Sequence, residues 1–234
     1  MEIREKVAEI TARLTDAYHA DSLARSHGGS LPPVDELVLT FLSQSTTDVN
    51  SWRGYRTLRA RFPDWEAVAD APVEEIEEAI RAGGLARRKA PRIQAALRRL
   101  REERGRVTLD FLAEMTPRDA LAYLMSFHGV GRKTASCVLL FSLGMPAMPV
   151  DTHVLRVARR LRLIPARATA EQAHDLLEAL APPADYYRFH VNMIAHGRQT
   201  CAARRPACPR CVILELCPYG APAGSAGLSR KSDG

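Results

Sequence analysis

The chain has 234 residues, 46% of them hydrophobic, which is enough for a globular protein with one large domain or two small ones. No apolar run approaches the length of a membrane span or of a signal-peptide core, so we expect a soluble, cytoplasmic protein without a membrane partner. The formal net charge is +6, and only four of the 33 basic residues are lysines. Arginine therefore supplies nearly all of the positive charge, which favours an anionic partner.

The hydrophobic pattern is helical along the whole chain. Ile3, Val7, Ile10 and Leu14 recur at spacings of three and four, which predicts a first helix that a polar linker at 26–30 follows. Because no alternating strand pattern occurs, the predicted fold class is all-α. The tail at 220–234 is rich in Gly, Ala and Ser and is predicted to be disordered. Further helices are predicted at about 33–44, 48–61, 72–82, 87–104, 117–126, 131–143, 152–162, 170–181 and 184–197.

Two glycines, Gly129 and Gly131, stand two residues apart between predicted helices. This pattern is typical of a helix–hairpin–helix turn, because glycine permits positive φ and a close approach of the backbone to a ligand. The free N–H groups at the start of the next helix can then bind phosphate without reading the DNA sequence. The alternative is that the glycines only end one helix and begin the next.

Lys133 follows in the first turn of that next helix, beside Arg132. The positive helix end and the neighbouring cation both disfavour a charged ammonium group. A neutral amine can attack the sugar carbon that bears a base and form a Schiff base after ring opening. The alternative is an exposed cation that forms a salt bridge or contacts phosphate.

Asp151 is the predicted N-cap of the helix over 152–162. The cap role is compatible with catalysis, because cleavage of a glycosidic bond passes through an oxocarbenium-like state that a nearby carboxylate stabilises. His153, two residues on, is expected to form local hydrogen bonds rather than to catalyse.

Four of the five cysteines are close together in sequence, with six, two and five residues between them: Cys201, Cys208, Cys211 and Cys217. Such a group can hold a structural zinc ion or a [4Fe–4S] cluster, and the number of ligands does not decide between them. Unliganded cysteines are a third interpretation. The separate Cys137 is expected to be a small buried apolar residue.

Segments 129–135, 150–153 and 196–198, with the 6-2-5 cysteine spacing, resemble the endonuclease III family of helix–hairpin–helix DNA glycosylases in the same order. The match extends over roughly residues 30 to 219. The resemblance implies a six-helix barrel domain at 33–146, with the helix–hairpin–helix at about 117–143. It also implies a second domain, formed by 1–32 and 147–219, that carries a [4Fe–4S] cluster on the four cysteines.

The resemblance further implies roles for individual residues. Lys133 would be the nucleophile, Asp151 its catalytic partner, and a damaged base would be flipped out of the duplex. Leu85 matches the leucine that wedges into the base stack, and its alternative role is packing behind a glycine that ends a helix. The complete set expected to contact DNA is Gln44, Ser45, Leu85, Gly129, Val130, Gly131, Arg132, Thr134, His153, Arg204 and Arg205.

One position departs from the family. Family members usually carry Ala-Gln before Thr-Asp, and that glutamine fills the gap that the flipped base leaves. Here Ser45 stands in its place, and Gln44 comes one residue early. Gap filling, contacts to the opposite base and substrate range are therefore expected to differ.

The leading hypothesis is a monomeric base-excision-repair enzyme of the cytoplasm, associated with the nucleoid through DNA binding. It would act as a DNA glycosylase and AP lyase on oxidised pyrimidines and abasic sites in double-stranded DNA. The alternatives are a mismatch or adenine glycosylase of the same superfamily and a catalytically weak DNA-binding homologue. Adenine enzymes generally lack the nucleophilic lysine and carry an additional C-terminal domain.

Overall fold

The computed structural model describes residues 1–19 and 30–220. Within these ranges the secondary structure is entirely helical, without strands, so the predicted all-α class is confirmed. The predicted linker before Ser30 and the predicted disordered tail after Gly220 lie outside the described residues. No helix of the described ranges combines the length and the apolar character needed to cross a bilayer.

The α-helices are, in chain order, α1 (Ile3–Tyr18), α2 (Pro33–Ser43), α3 (Asp48–Arg61), α4 (Trp65–Asp70), α5 (Val73–Ala79), α6 (Ala86–Arg104), α7 (Pro117–Met125), α8 (Arg132–Leu143), α9 (Thr152–Arg160), α10 (Ala170–Leu180) and α11 (Tyr186–Gln199). Short 3-10 helices lie at Arg81–Gly83, Asp110–Glu114, Pro183–Asp185, Cys208–Arg210 and Leu214–Leu216.

Most predicted helices are present, and two differences have physical reasons. Helix α4 was not predicted, since its six residues are too few to show a helical period, although Asp64 caps it by accepting from the N–H of Ala67. The helix predicted over 72–82 ends at Ala79, and a 3-10 turn continues the chain to Gly84, whose φ is +66°. A left-handed glycine stops a helix because it reverses the direction of the chain.

The chain divides into two compact units, and the described residues of these are 30–149 in one and 1–19 with 150–220 in the other. The predicted domain boundaries, and the roles given to the two domains, stay predictions.

Helix α2 is the centre of the unit formed by 30–149. Nine of its eleven residues are buried, and it packs against α3 and α8. One buried residue is Asp35, whose carboxylate accepts hydrogen bonds from Tyr55 Oη at 2.6 Å and from Trp65 Nε1 at 3.0 Å. These two bonds satisfy the carboxylate that the fold takes out of water. The C-terminal end of α2 and the N-terminal end of α8 are thereby set on one rigid core.

The other unit is organised around α11, which packs against α1 and α9. Gly197 allows the close approach of α9, because a Cβ there would lie 3.0 Å from Cβ of His153. Arg156 closes the contact by donating from Nη2 to the carbonyl oxygen of Gly197 at 2.8 Å. Helix α1 is joined to the end of α9 by Lys6, whose Nζ donates to the carbonyl oxygen of Leu161 at 2.6 Å.

Candidate functional site

The turn between α7 and α8 has the predicted hairpin form. The N–H of Val130 donates to the carbonyl oxygen of Phe127 at 3.1 Å, and both side chains are buried. Gly129 has a φ of +83°, so the turn needs a glycine there. Gly131 has a φ of −92° as the N-cap of α8 and does not use this freedom. Nothing lies within 4 Å of a Cβ built on Gly131, so the backbone is open to a ligand at this point.

Gln44 ends α2 and reaches the hairpin. Its Nε2 donates to the carbonyl oxygen of Gly129 at 3.2 Å, across 85 residues of sequence. The next residue, Ser45, is exposed and has a φ of +54°, a left-handed conformation that is costly for a residue with a side chain. The loop therefore turns the serine toward solvent while the glutamine holds the hairpin.

Leu85 begins α6 and is also left-handed, with a φ of +51°. Its side chain is 48% exposed, so it is not part of the buried core. A strained, half-exposed leucine gains little from the fold itself, and this agrees with a role in binding.

Lys133 is half-buried in the first turn of α8, next to the half-buried Arg132 and the buried Thr134. The packing of α2 against α8 brings a buried carboxyl group, Glu36, within electrostatic reach of this lysine. Burial raises the pKa of Glu36 to about 7, while a hydrogen bond from Thr40 and the positive charge of Lys133 lower it. The Thr40 hydroxyl lies 3.3 Å from Glu36 Oε1.

Glu36 was missed by the sequence reasoning. A glutamate within the apolar pattern of α2 is the only signal that could have marked it.

Asp151 is the N-cap of α9, as predicted, and its Oδ1 accepts from the N–H of Val154 at 2.8 Å. The side chain is half-buried. His153 makes the expected local contact, with Nδ1 lying 3.1 Å from Nη2 of Arg156. Asp151 and Lys133 belong to different units, and their catalytic partnership stays a proposal.

The four clustered cysteines line one cavity at the end of α11, together with Arg160 and His196. All four are half-buried, and none of the five cysteines of the chain forms a disulfide. Cys137 lies in α8, is 2% exposed and does not belong to this cavity, so its predicted burial is confirmed.

Arg160 ties the cysteine loop to α9. Its Nη1 lies 3.2 Å from Cys201 Sγ and donates to the carbonyl oxygen of Ala202 at 2.8 Å, and its Nη2 donates to that of Ala203 at 3.0 Å. The guanidinium also lies 4.5 Å from the ring centre of Tyr219. The sequence reasoning missed Arg160, because a loop some forty residues away supplies its partners.

His196 is buried on the inner side of the same cavity. Its Nδ1 lies 2.9 Å from Tyr18 Oη, and its Nε2 lies 3.9 Å from Cys211 Sγ. Burial, together with the nearby Arg156, lowers the pKa of His196 to about 4, so the ring is neutral near pH 7.

The chemistry of the cavity fits an anionic thiolate-bound group. Burial raises the pKa of Cys211, and the charges of Cys201, Cys208 and Cys217 raise it further, so four thiolates need a cation in their midst. Arg160 supplies positive charge at the edge of the cavity. Gly220 leaves room there, since a Cβ on it would lie 3.2 Å from Cys208 Sγ.

Within residues 1–19 and 30–220, no group of three or more His, Cys, Asp or Glu side chains is gathered as a single metal ion would require. A [4Fe–4S] cluster distributes its cysteine ligands over several irons, so its thiolates need not converge on one point.

Arg204 and Arg205 lie in the loop between Cys201 and Cys208. Both are exposed, and neither makes a side-chain hydrogen bond or ion pair with another described residue. Arg210, by contrast, donates from Nη2 to the carbonyl oxygen of Gln199 at 3.1 Å. The loop therefore presents two cations to solvent.

Comparison with known proteins places this arrangement in a family. Residues 38–183 match the family described as HhH-GPD superfamily base excision DNA repair protein. Endonuclease III of Synechocystis sp. is 40% identical over 187 residues, which cover 80% of this chain and 81% of that protein. The chain belongs to the endonuclease III family. Endonuclease III of Escherichia coli is 35% identical over 80% of this chain and 84% of its own length.

A putative DNA glycosylase of Arabidopsis thaliana, At3g47830, is 41% identical over 167 residues. That match covers 70% of this chain but only 56% of the plant protein, so the two share a common region rather than a full length.

Solved structures agree with the assignment. A non-covalent endonuclease III–DNA complex superimposes with a TM-score of 0.71 at 29% identity, covering 89% of this chain and 96% of the other. A trapped endonuclease III–DNA covalent intermediate gives a TM-score of 0.77 at 29% identity, covering 94% and 98%. A thermostable thymine-DNA glycosylase, 20% identical with a TM-score of 0.77, shares the fold. The protein is thus a base excision repair enzyme of the DNA glycosylase/AP lyase class.

Proposed function

We propose that this member of the endonuclease III family removes oxidised pyrimidines from double-stranded DNA and cleaves the strand at the abasic site, with Lys133 as the nucleophile. The observation that carries the proposal is the place of Lys133, in the first turn of α8 directly after an open hairpin backbone. A phosphate held by the hairpin would bring the adjoining sugar to the amine. Its site of action would be nucleoid DNA in the cytoplasm, and we propose that it acts as a monomer.

The reaction begins with the neutral amine of Lys133. Its lone pair attacks C1′ of the sugar, and the base leaves with the electrons of the glycosidic bond and takes up a proton. The attached nitrogen gives up one proton, and the sugar ring then opens with a proton taken up by O4′, which gives an iminium between C1′ and Nζ. Loss of a proton from C2′ then expels the 3′ phosphate by elimination, and water releases the lysine by hydrolysis.

Asp151 is proposed to stabilise the positive charge that develops on the sugar as the base departs. One of its oxygens accepts the cap hydrogen bond from Val154, which fixes the direction of the side chain. The other oxygen makes no hydrogen bond within the described residues and can face the substrate. Capping and catalysis thus use different atoms of one carboxylate.

The proposed DNA contacts fall into two groups. Gly129, Val130, Gly131, Arg132 and Thr134 would hold the backbone at the hairpin, with His153, Arg204 and Arg205 as further backbone contacts. Leu85 and the pair Gln44 and Ser45 would enter the base stack around the flipped base. Gln44 would have to release the carbonyl oxygen of Gly129 to fill the gap, because its amide is engaged there.

We further propose that Cys201, Cys208, Cys211 and Cys217 hold a [4Fe–4S] cluster. Support comes from the four thiols around one cavity, the cation Arg160 beside Cys201, and the likeness of the 6-2-5 spacing to endonuclease III. When bound, the cluster would supply structural cross-linking of the loop. The loop would then present Arg204 and Arg205 as a fixed basic surface.

The cluster is tested by iron and sulfide analysis of anaerobically purified protein. We expect about four of each per chain, from the stoichiometry of the cluster. Cys208→Ala should lose them, whereas the control Cys137→Ala should keep them, because Cys137 lies in the core of the other unit. Stoichiometric zinc without sulfide, or loss of iron in Cys137→Ala, would contradict the ligand set.

The activity is tested on duplexes that carry thymine glycol, uracil, an abasic site or a mismatch, with base release and strand cleavage scored separately. Borohydride should trap a covalent adduct with the wild type and none with Lys133→Gln. The matched variant Asp151→Asn should slow base release while it keeps the adduct on an abasic site, where no base must leave. An undiminished adduct in Lys133→Gln would show that Lys133 is not the nucleophile. Preferred excision of a mismatched normal base would favour the mismatch-type alternative.

A further inference from the structure

A shallow depression on the unit formed by 30–149 is lined mainly by basic side chains. It follows one face of the first turns of α6, where positions 87, 88, 91, 92 and 95 point the same way at spacings of three and four. The lining residues are Arg87, Arg88, Pro91, Arg92, Ala95 and His128. None of them is acidic, so the depression has uncompensated positive charge.

These arginines differ from others of the same unit. Arg61 pairs with Glu75 and Arg101 with Asp70. In contrast, the structure gives Arg87, Arg88 and Arg92 no side-chain hydrogen bond or ion pair to any residue in its described ranges. Three cations gathered without a counter-charge repel one another, and the first turn of α6 adds the positive end of its dipole. The fold gains no stability from this arrangement, whereas a polyanion that binds there would be attracted by the unpaired charges.

The depression is continuous with the hairpin. His128 directly precedes Gly129, and a Cβ on Gly129 would lie 3.2 Å from Cδ of Arg92, so the stem of this arginine lies along the turn. The other end of the depression starts two residues after the half-exposed Leu85. The basic residues therefore fill the space between a backbone-binding turn and a residue proposed to enter the base stack.

We propose that Arg87, Arg88, Arg92 and His128 form a second phosphate-binding site for duplex DNA, separate from the N–H groups of the hairpin. This inference rests on the proposed function, because duplex DNA is the ligand in both. Its guanidinium groups bind consecutive backbone phosphates and read no base. The site extends the protein's contacts with the backbone of one DNA strand from the hairpin toward the lesion.

The test is the salt dependence of binding to a short duplex that carries an uncleavable tetrahydrofuran abasic analogue. Each phosphate neutralised contributes about 0.9 to the slope of log K against log salt, so Arg88→Gln/Arg92→Gln should lower the slope by about 2. The matched control is Arg106→Gln/Arg118→Gln, which removes the same charge from exposed positions. Arg106 lies beyond the far end of α6, on the order of 20 Å from Arg92 by helical rise. The control should lower the slope by less than half as much.

An unchanged slope, or an equal fall in both double variants, would overturn the site. Borohydride trapping on a second duplex with a natural abasic site, at low salt and saturating protein, reports on Lys133 alone. Failure of trapping would contradict the proposed function. Trapping that persists in Arg88→Gln/Arg92→Gln while the slope falls would support both the proposed function and the second phosphate-binding site.

Discussion

The guanidinium of Arg160 lies 3.2 Å from the sulfur of Cys201 and holds the carbonyl oxygens of the next two residues. One side chain thus organises the start of the loop that carries the four cysteines. It also places a positive charge where a thiolate-bound cluster would be anionic.

Removing Arg160 should therefore weaken the cysteine site. In Arg160→Gln, loss of the hydrogen bonds to partly buried carbonyls should cost about 1–3 kcal/mol of stability. Iron per chain should fall, and Arg160→Lys should recover part of it, since it restores the charge but not the planar fork. Iron analysis and thermal unfolding measure both effects. Full iron content and an unchanged melting temperature in Arg160→Gln would contradict the role.

Glu36 should make stability depend on pH. Its pKa in the folded protein is about 7, above the ordinary 4.5, so folding favours the protonated form. Its contribution is therefore fully present below about pH 4.5 and is lost as pH rises through 7. The loss is on the order of 3 kcal/mol, from 1.36 kcal/mol per pKa unit. Glu36→Gln, which stays neutral, should be more stable than the wild type at pH 8 and nearly equal at pH 5.

Urea unfolding at the two pH values measures this difference. Glu75→Gln is the control, since the Glu75 side chain on α5 is 45% exposed and pairs with Arg61. It should not gain stability at pH 8. The same gap between Glu36→Gln and the wild type at both pH values would show that Glu36 does not titrate in this range.

The two hairpin glycines should respond differently to alanine. Gly129→Ala forces a side chain into a φ of +83° and toward Arg92, and should cost about 1–2 kcal/mol of stability. Gly131→Ala meets no strain and no neighbour, so its cost should stay below about 1 kcal/mol as a poorer N-cap. Its methyl group would nevertheless stand where a phosphate approaches, and DNA binding should weaken. Chemical unfolding and duplex titration separate the two effects, and equal losses of stability would refute the distinction.

Ser45→Gln tests gap filling. The serine is exposed beside Gln44, whose amide is held by Gly129, so neither residue fills a gap in this conformation. A glutamine at position 45 should raise turnover of a well-paired lesion more than cleavage at an abasic site, because only the first substrate loses a stacked base. Ser45→Gly is the control for the left-handed φ of +54°. If Ser45→Gln has the same effect on both substrates, or matches Ser45→Gly, position 45 does not govern gap filling.

Much of the local structure could be predicted because its causes lie within a few residues. The helical period located most helices, Thr169 and Gln172 form the predicted capping box, and Asp151 caps α9 as expected. The buried Cys137 follows from its apolar neighbours in the same way. Each of these features is indicated by residues no more than about four positions apart in the sequence.

The parts that could not be predicted join residues distant in sequence. Glu36 comes within electrostatic reach of Lys133, Gln44 bonds Gly129 and Arg160 bonds the cysteine loop, and none of these has a signature near its own position. The sequence motifs determined which functional groups are present, because the chemical identity of the thiols, the lysine and the glycine turn does not depend on where they lie in the fold. Only the packing of helices decided which charges surround them, because burial and neighbouring charge are properties of three-dimensional distance rather than of sequence order.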